Sequence, residues 1–181
     1  MKILGIIGSP RKNGTVSEIV EKIADEAEES GHDVNVYSIN SLNIHPCQAC
    51  YYCKDNDGCD LDDDMVNIYN ELYDCDLLVI GSPIYFGEVT AQTKLFTDRL
   101  YGIYNNKKRG FKDKKAILIY VYGNPDENVY DEYISNQKKF LYEFLGFEVV
   151  ETIILPGTPE KKYYLNNQEL IEKIKEIGSN I

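Results

Sequence analysis

MKILGIIGSPRKNGT, residues 1–15, is the stretch that decides the fold. Residues 2–8 (KILGIIG) are an apolar run of strand length, followed at once by a loop rich in Gly, Ser, Pro and Asn. Beyond it, residues 15–30 place Val16, Ile19, Val20, Ile23, Ala24 and Ala27 on one face of a helix, and Gly31 stands where a helix C-terminus favours glycine. A strand passing through a tight loop into a helix opens a βα unit. The same alternation recurs outward along the chain. Residues 33–39 (DVNVYSI), 76–82 (DLLVIGS), 115–122 (KAILIYVY) and 147–154 (FEVVETII) read as strands. Residues 63–73, 90–104, 130–145 and about 166–177 read as helices. The first of these has Asp62, Asp63 and Asp64 at its start, where carboxylates cap N–H groups and suit the helix dipole.

Strands alternating with helices imply an α/β three-layer sandwich, a parallel sheet covered on both faces. Five units suit a five-stranded sheet of order 2-1-3-4-5, the flavodoxin-like arrangement, better than a six-stranded dinucleotide fold. No internal repeat or linker interrupts the chain. One domain over residues 1–181 is expected, with a cysteine-rich insertion at about 43–62. Two connections, residues 40–62 and 105–114, exceed ordinary loop length, and long loops in compact domains tend to carry function.

The 181 residues are 43% hydrophobic and 27% charged, enough for a sizeable core. Acidic residues outnumber basic ones 30 to 19, a net charge of −11 that argues against nucleic acid or an anionic membrane surface as partner. The longest apolar stretch, residues 117–122, is far below the roughly 20 residues of a spanning helix. The N-terminus lacks the long apolar region and cleavage site of a signal peptide. A cytoplasmic location is expected, and with it reduced cysteines serving as core residues or ligands.

The loop GSPRKNGT precedes a helix N-terminus, where open N–H groups and the dipole stabilise an anion. Ser9, Asn13, Thr15 and Ser17 add short donors and Arg11 adds charge, so a bound phosphate is expected. The spacing is neither G-x-x-x-x-G-K-[ST] nor G-x-G-x-x-G, and no cysteine nucleophile sits in the loop. A compact monophosphate such as that of FMN fits. The third strand ends in GSPIYFGEV, residues 81–89. Ligands of open α/β sheets bind beyond the carboxyl ends of strands, so Pro83, Ile84, Tyr85, Phe86 and Gly87 can contact a flat ring. Gly123, after the fourth strand, falls on the same rim.

On these residues the chain resembles the NADPH-dependent FMN reductase family of the flavodoxin-like superfamily. GSPRKNGT, SPIYFGEVTAQTKLFTDR and the βα order carry the likeness over about residues 1–123. The resemblance implies that Ser9, Arg11, Asn13, Thr15 and Ser17 hold the FMN phosphate and that the loop from Pro83 to Gly87 meets the isoalloxazine. Lys94, Asp98 and Arg99 match the family's K-x-F-x-D-R helix, with a structural or subunit-interface role and not a catalytic one.

Cys47-x2-Cys50-x2-Cys53-x5-Cys59 is the sharpest signal outside these loops. Three cysteines at intervals of three suit a [4Fe–4S] cluster better than zinc, which usually takes separated pairs; a redox-active thiol pair stays open. The pattern resembles the archaeal iron–sulfur flavoproteins, and the resemblance implies homodimers or homotetramers in which the cluster of one subunit meets the flavin of another. Cys75 reads as a small core residue, His32 and His45 as solvated loop residues, and the basic run 107–115 as a solvated loop or a guide for an anionic partner such as NADPH.

The function expected is that of an FMN-dependent redox protein passing electrons between cluster, flavin and a partner. Ferredoxin or NAD(P)H would be the donor, with a small-molecule acceptor. A cluster-free NAD(P)H-dependent FMN or quinone reductase and a non-catalytic electron carrier are the alternatives. No side chain reads as a catalytic acid, base or nucleophile, in keeping with chemistry carried by the flavin.

Overall fold

The computed structural model describes residues 1–104, 113–158 and 166–181. Among these residues six strands and six α-helices follow one another as β1 (Lys2–Ile7), α1 (Thr15–Glu29), β2 (Asp33–Ser38), α2 (Met65–Asp74), β3 (Leu77–Tyr85), β4 (Glu88–Val89), α3 (Ala91–Arg99), α4 (Tyr101–Tyr104), β5 (Lys114–Val121), α5 (Asp131–Gln137), β6 (Phe147–Leu155) and α6 (Gln168–Asn180). Parallel strands run in the order β2-β1-β3-β5-β6, which is the expected 2-1-3-4-5 once the two-residue β4 is set aside. In register, Ile3 sits between Val34 and Leu77, and Ile80 between Ile6 and Leu118.

The apolar content of each strand follows its place. β1, β3 and β5 are central and buried on both sides, so their sequences are nearly continuous runs of Ile, Leu and Val. β2 and β6 lie at the edges and alternate with exposed positions. One face of the sheet packs Ile3, Ile7, Val79, Ile117 and Ile119 against α1 and α6 through Ile19, Ile23 and Ile174. The other packs Leu4, Ile6, Leu78 and Leu118 against α2, α3 and the α5 region through Ile68, Leu72, Phe96 and Tyr142. Each such fully buried side chain contributes about 1.5–3 kcal/mol over its exposed state.

Three elements depart from expectation. β3 runs three residues past Ser82 and folds back on β4, pairing Ile84 with Val89 and Tyr85 with Glu88. Phe86 and Gly87 form the turn with φ of 52° and 86°, the left-handed pair a tight hairpin requires, and glycine supplies only the second. The helix expected over 90–104 ends at Arg99 and resumes as α4 after Leu100, and that over 130–145 passes from α5 into a π-helical turn, Lys138–Glu143. The loop 105–114 and the basic run within it lie outside the described residues up to 112. Lys114 itself opens β5 and is buried, its Nζ donating to the carbonyls of Tyr73 (2.8 Å) and Cys75 (2.6 Å), so it is no solvated loop residue. Among the described residues no helix is long and apolar enough to cross a membrane.

Candidate functional site

The carboxyl ends of β1, β3 and β5 converge on a cleft of about 840 Å³, within the size range of small-molecule sites. The β1–α1 loop forms one wall. Arg11 N–H donates to Ser9 Oγ at 3.1 Å, and Ser17 Oγ donates to the Arg11 carbonyl at 3.0 Å, which curls the loop over the start of α1. Gly14 occupies the N-cap position and no side chain caps the helix, so the first-turn N–H groups are left for a ligand. Ser9, Arg11, Asn13 and Thr15 line this wall together with Lys12 and Gly14.

The loop is anchored from behind. Gly8 N–H donates to the Gly81 carbonyl (2.8 Å), and the Gly8 carbonyl accepts from Thr90 Oγ1 (2.5 Å) and faces Thr93 Oγ1 (3.2 Å). Thr93 Oγ1 lies 2.9 Å from Ser82 Oγ, which in turn donates to the Pro83 carbonyl at 2.9 Å. These hydroxyls are buried and join the phosphate-type loop, the end of β3 and the start of α3. A Cβ on Gly8 would stand 1.9 Å from Thr93 Oγ1, so only glycine permits the approach.

Pro83 and Tyr85 form the second wall and Gly123 the third, joined by Tyr122 and by Thr158 beyond β6. Thr158 reaches the rim because its N–H donates to the Tyr122 carbonyl at 3.1 Å and Gly157 N–H to that of Asn124 at 2.8 Å. Four sequence candidates stand elsewhere. Ser17 is buried beneath the loop it braces, Ile84 packs in the core, and Phe86 and Gly87 sit at the hairpin tip with the Phe86 ring fully exposed. Thr90, Thr93 and Thr158 were missed by sequence reasoning. T-x-x-T at a helix start signals a cap, which Thr90 provides by accepting from Thr93 N–H, but its reach to Gly8 has no local signature.

At the far end of α3 lies a second, smaller cavity of about 90 Å³, and Cys47, Cys50, Cys53 and Cys59 all line it. Cys47 and Cys50 are exposed, Cys59 is half-buried and Cys53 is buried. Burial pushes the Cys53 thiol up, and its three neighbouring thiols push the same way. Ala49 and Tyr51 between the first three cysteines have φ of 51° and 62°, a turn geometry that bends the short loop around the cavity. Among the described residues no group of three His, Cys, Asp or Glu is placed to hold a single metal ion.

Arg99 also lines this cavity. Its side chain is almost wholly buried and pairs with the wholly buried carboxylate of Asp63. Nη1 lies 2.6 Å from Asp63 Oδ2 and 2.8 Å from the His45 carbonyl, and Nη2 lies 3.1 Å from Asp63 Oδ1. Burial alone would raise the Asp63 carboxyl, but Arg99 and the N–H groups of His45 and Met65 outweigh it and hold it below the usual carboxylate range. This pair ties both ends of the cysteine loop to α3, which gives Arg99 the structural role and leaves Lys94 and Asp98 as an exposed i,i+4 ion pair. Arg99 Nε is buried with no partner among the described residues, a state that costs about 1–3 kcal/mol or more for a charged group.

Beside the cavity, Tyr51, Tyr101, Tyr104 and Phe144 make an exposed aromatic strip, with Tyr104 and Phe144 stacked at 4.9 Å. Cys75 is a core residue, as expected: its Sγ faces the Leu72 carbonyl and burial pushes the thiol up to about 11. His32 is half-buried at the surface, and its ring nitrogens meet the Met1 amino group (3.1 Å) and the Ile181 carbonyl (3.0 Å). His45 keeps an exposed ring, while its backbone serves the Asp63–Arg99 pair.

The family model described as NADPH-dependent FMN reductase matches residues 1–139. An iron-sulfur flavoprotein of Methanosarcina thermophila is 35% identical over 124 residues, 68% of this chain and 64% of that relative. Another, from Archaeoglobus fulgidus, is 30% identical over 152 residues, 84% of this chain and 73% of its own length. The chain spans 64%, 51% and 58% of three of these curated relatives, about half to two-thirds of their length. Among solved structures, the NAD(P)H:quinone oxidoreductase of Methanothermobacter marburgensis superposes with a TM-score of 0.77 at 19% identity, over 99% of this chain and 96% of that one, a likeness of fold.

Proposed function

The chain belongs to the NADPH-dependent FMN reductase family, and from that premise we propose that it is an FMN-dependent oxidoreductase that also carries a [4Fe–4S] cluster on Cys47, Cys50, Cys53 and Cys59. The observation that carries the reading is the placement of two cavities at opposite ends of one helix. The N-terminus of α3 backs the cleft through Thr90 and Thr93, and its C-terminal Arg99 walls the cysteine cavity. Nine residues of helix separate the two by roughly 13 Å.

The residues present suit both groups. For FMN, the uncapped start of α1 supplies N–H donors and Ser9, Thr15 and Arg11 supply hydroxyls and charge, a set made for a phosphate dianion. Pro83, Tyr85 and Gly123 flank the space left for a ring, and nothing lies within 4 Å of where a Gly123 side chain would begin. For the cluster, all four cysteines line one cavity together with the buried Arg99, a thiol set that suits iron once the metal displaces the protons. A cuboidal cluster offers a separate iron to each thiolate, so its ligands need not crowd around one point.

FMN, when bound, supplies hydride and single-electron chemistry at its N5. Pro83, Tyr85 and Val121 line the cleft and would keep water from one side of a bound ring. The names of the relatives support the cluster, and the donor under this reading is NAD(P)H or a ferredoxin-type protein, with a small molecule as acceptor. Anaerobic mixing decides between donors: bleaching of the flavin by NAD(P)H alone makes the protein a pyridine-nucleotide reductase, and bleaching by reduced ferredoxin alone makes it an electron-transfer partner. Failure of both to bleach a bound flavin would count against any redox role.

A further inference from the structure

Arg99 offers the cysteine cavity a donor that the protein itself does not use. A guanidinium has five N–H groups in a rigid fork. Asp63 takes the outer edge through Nη1 and Nη2, and the His45 carbonyl takes a further Nη1 hydrogen. The Asp63 carboxylate also accepts from the backbone of His45 (2.9 Å) and Met65 (3.1 Å), so it cannot turn without losing four contacts. That fixes the fork beside the Tyr69 ring and leaves Nε buried without a hydrogen-bond partner among the described residues. Arg99 lines the cavity of the four cysteines, as Asp60 also does, whereas Asp63 does not, so the cation is the member of the pair that borders the cavity.

We infer that Arg99, oriented by Asp63, is a positioning residue for the cysteine-held group, donating its Nε–H to a sulfur in the cavity and favouring the reduced form. The inference rests on the proposed cluster. Reduction adds one electron, delivered by the flavin or by the external donor, and no covalent bond forms or breaks. Arg99 stabilises the extra negative charge, and a hydrogen bond to sulfur acts in the same direction. A residue that merely braced the loop would have no sign to its effect.

The test uses the full chain purified without oxygen, as wild type, Arg99→Gln, Arg99→Lys and Asp63→Asn, each checked for iron, sulfide and thermal unfolding. Potentiometric titration followed by electron paramagnetic resonance reads the one-electron equilibrium. Arg99→Gln is expected to disfavour reduction about tenfold, 59 mV for one electron. Asp63→Asn, which unmasks the guanidinium, should move it the opposite way, and Arg99→Lys should recover part of the loss. Pulsed measurements on wild type labelled with 15N-arginine give a second reading that needs no variant: nitrogen coupling to the reduced centre is expected. Loaded variants with unmoved potentials, or loaded wild type without nitrogen coupling, overturn the role given to Arg99 alone. Wild type lacking iron and sulfide overturns the cluster reading and this inference together.

Discussion

Replacing Gly8 with alanine should strike the joint on which the cleft depends. The new methyl would lie 1.9 Å from Thr93 Oγ1, 2.9 Å from the Gly81 carbonyl and 3.1 Å from Thr93 Cβ. Two of these are fixed parts of the β3 strand and the α3 helix, so the strain sits at the upper end of the 1–3 kcal/mol typical of overpacking. Turning Thr93 away forfeits its contact with Ser82 Oγ, about 1 kcal/mol more, for a total of about 4 kcal/mol. Thr93→Ala alone removes that contact and a buried methyl, about 2 kcal/mol. In the double variant the worst clash is gone, and the cost should be about 4 kcal/mol instead of the additive value of about 6. Urea unfolding of the four proteins measures the cycle. Flavin fluorescence quenching measures FMN affinity, which should fall in Gly8→Ala and partly recover in the double variant. Additivity within about 0.5 kcal/mol would refute the coupling drawn between the loop and α3.

Other expectations follow from the same contacts. Asp63→Asn leaves Arg99 buried without its counter-ion and should cost about 3–5 kcal/mol at pH 7. Because the folded Asp63 carboxyl is held below its ordinary value of 3.8, its contribution is complete above that value and is lost as the pH falls further, so the gap between wild type and variant should narrow below pH 3.8 in denaturation curves. Tyr37 donates to Glu71 Oε1 at 2.5 Å, which with burial raises its phenol to about 12. That contribution is present below the ordinary value of 10 and lost as the pH climbs through 12; Tyr37→Phe should cost about 1 kcal/mol at pH 7 and nothing at the alkaline limit. With a thiol near 11 and a core position, Cys75 should resist iodoacetamide at pH 8 in the native, metal-stripped protein while Cys47 and Cys50 are labelled, as mass spectrometry of peptides would show.

How much of this the sequence made legible depended on the range of each interaction. Central strands announce themselves because burial on both faces demands unbroken apolar runs, as in residues 77–80 and 116–121. The uncapped loop before α1 was readable for the same local reason, since Gly14 precedes Thr15 and the helix repeat begins at once. The hairpin was not, because Phe86 occupies a left-handed turn position that ordinarily calls for Asn, Asp or Gly. Contacts that give the site its rigidity are long-range: Thr93 meets Gly8 across 85 positions, and Asp63 meets Arg99 across 36. Nothing near Lys114 in the chain suggests that its ammonium will be buried under two carbonyls from the end of α2, so a basic run was read as solvated. The cysteine spacing suggested that the four residues act together, and the fold adds what spacing cannot, the buried Arg99 that lines the same cavity.

The spectrum and composition of the chain purified anaerobically decide whether it holds both flavin and cluster. About one FMN per chain is expected, released on unfolding, with iron and sulfide in equal amounts and a broad absorption beneath the flavin bands. Flavin without iron would remove the cluster from the cysteines. Protein that neither retains flavin nor binds added FMN would contradict the reading of the cleft itself.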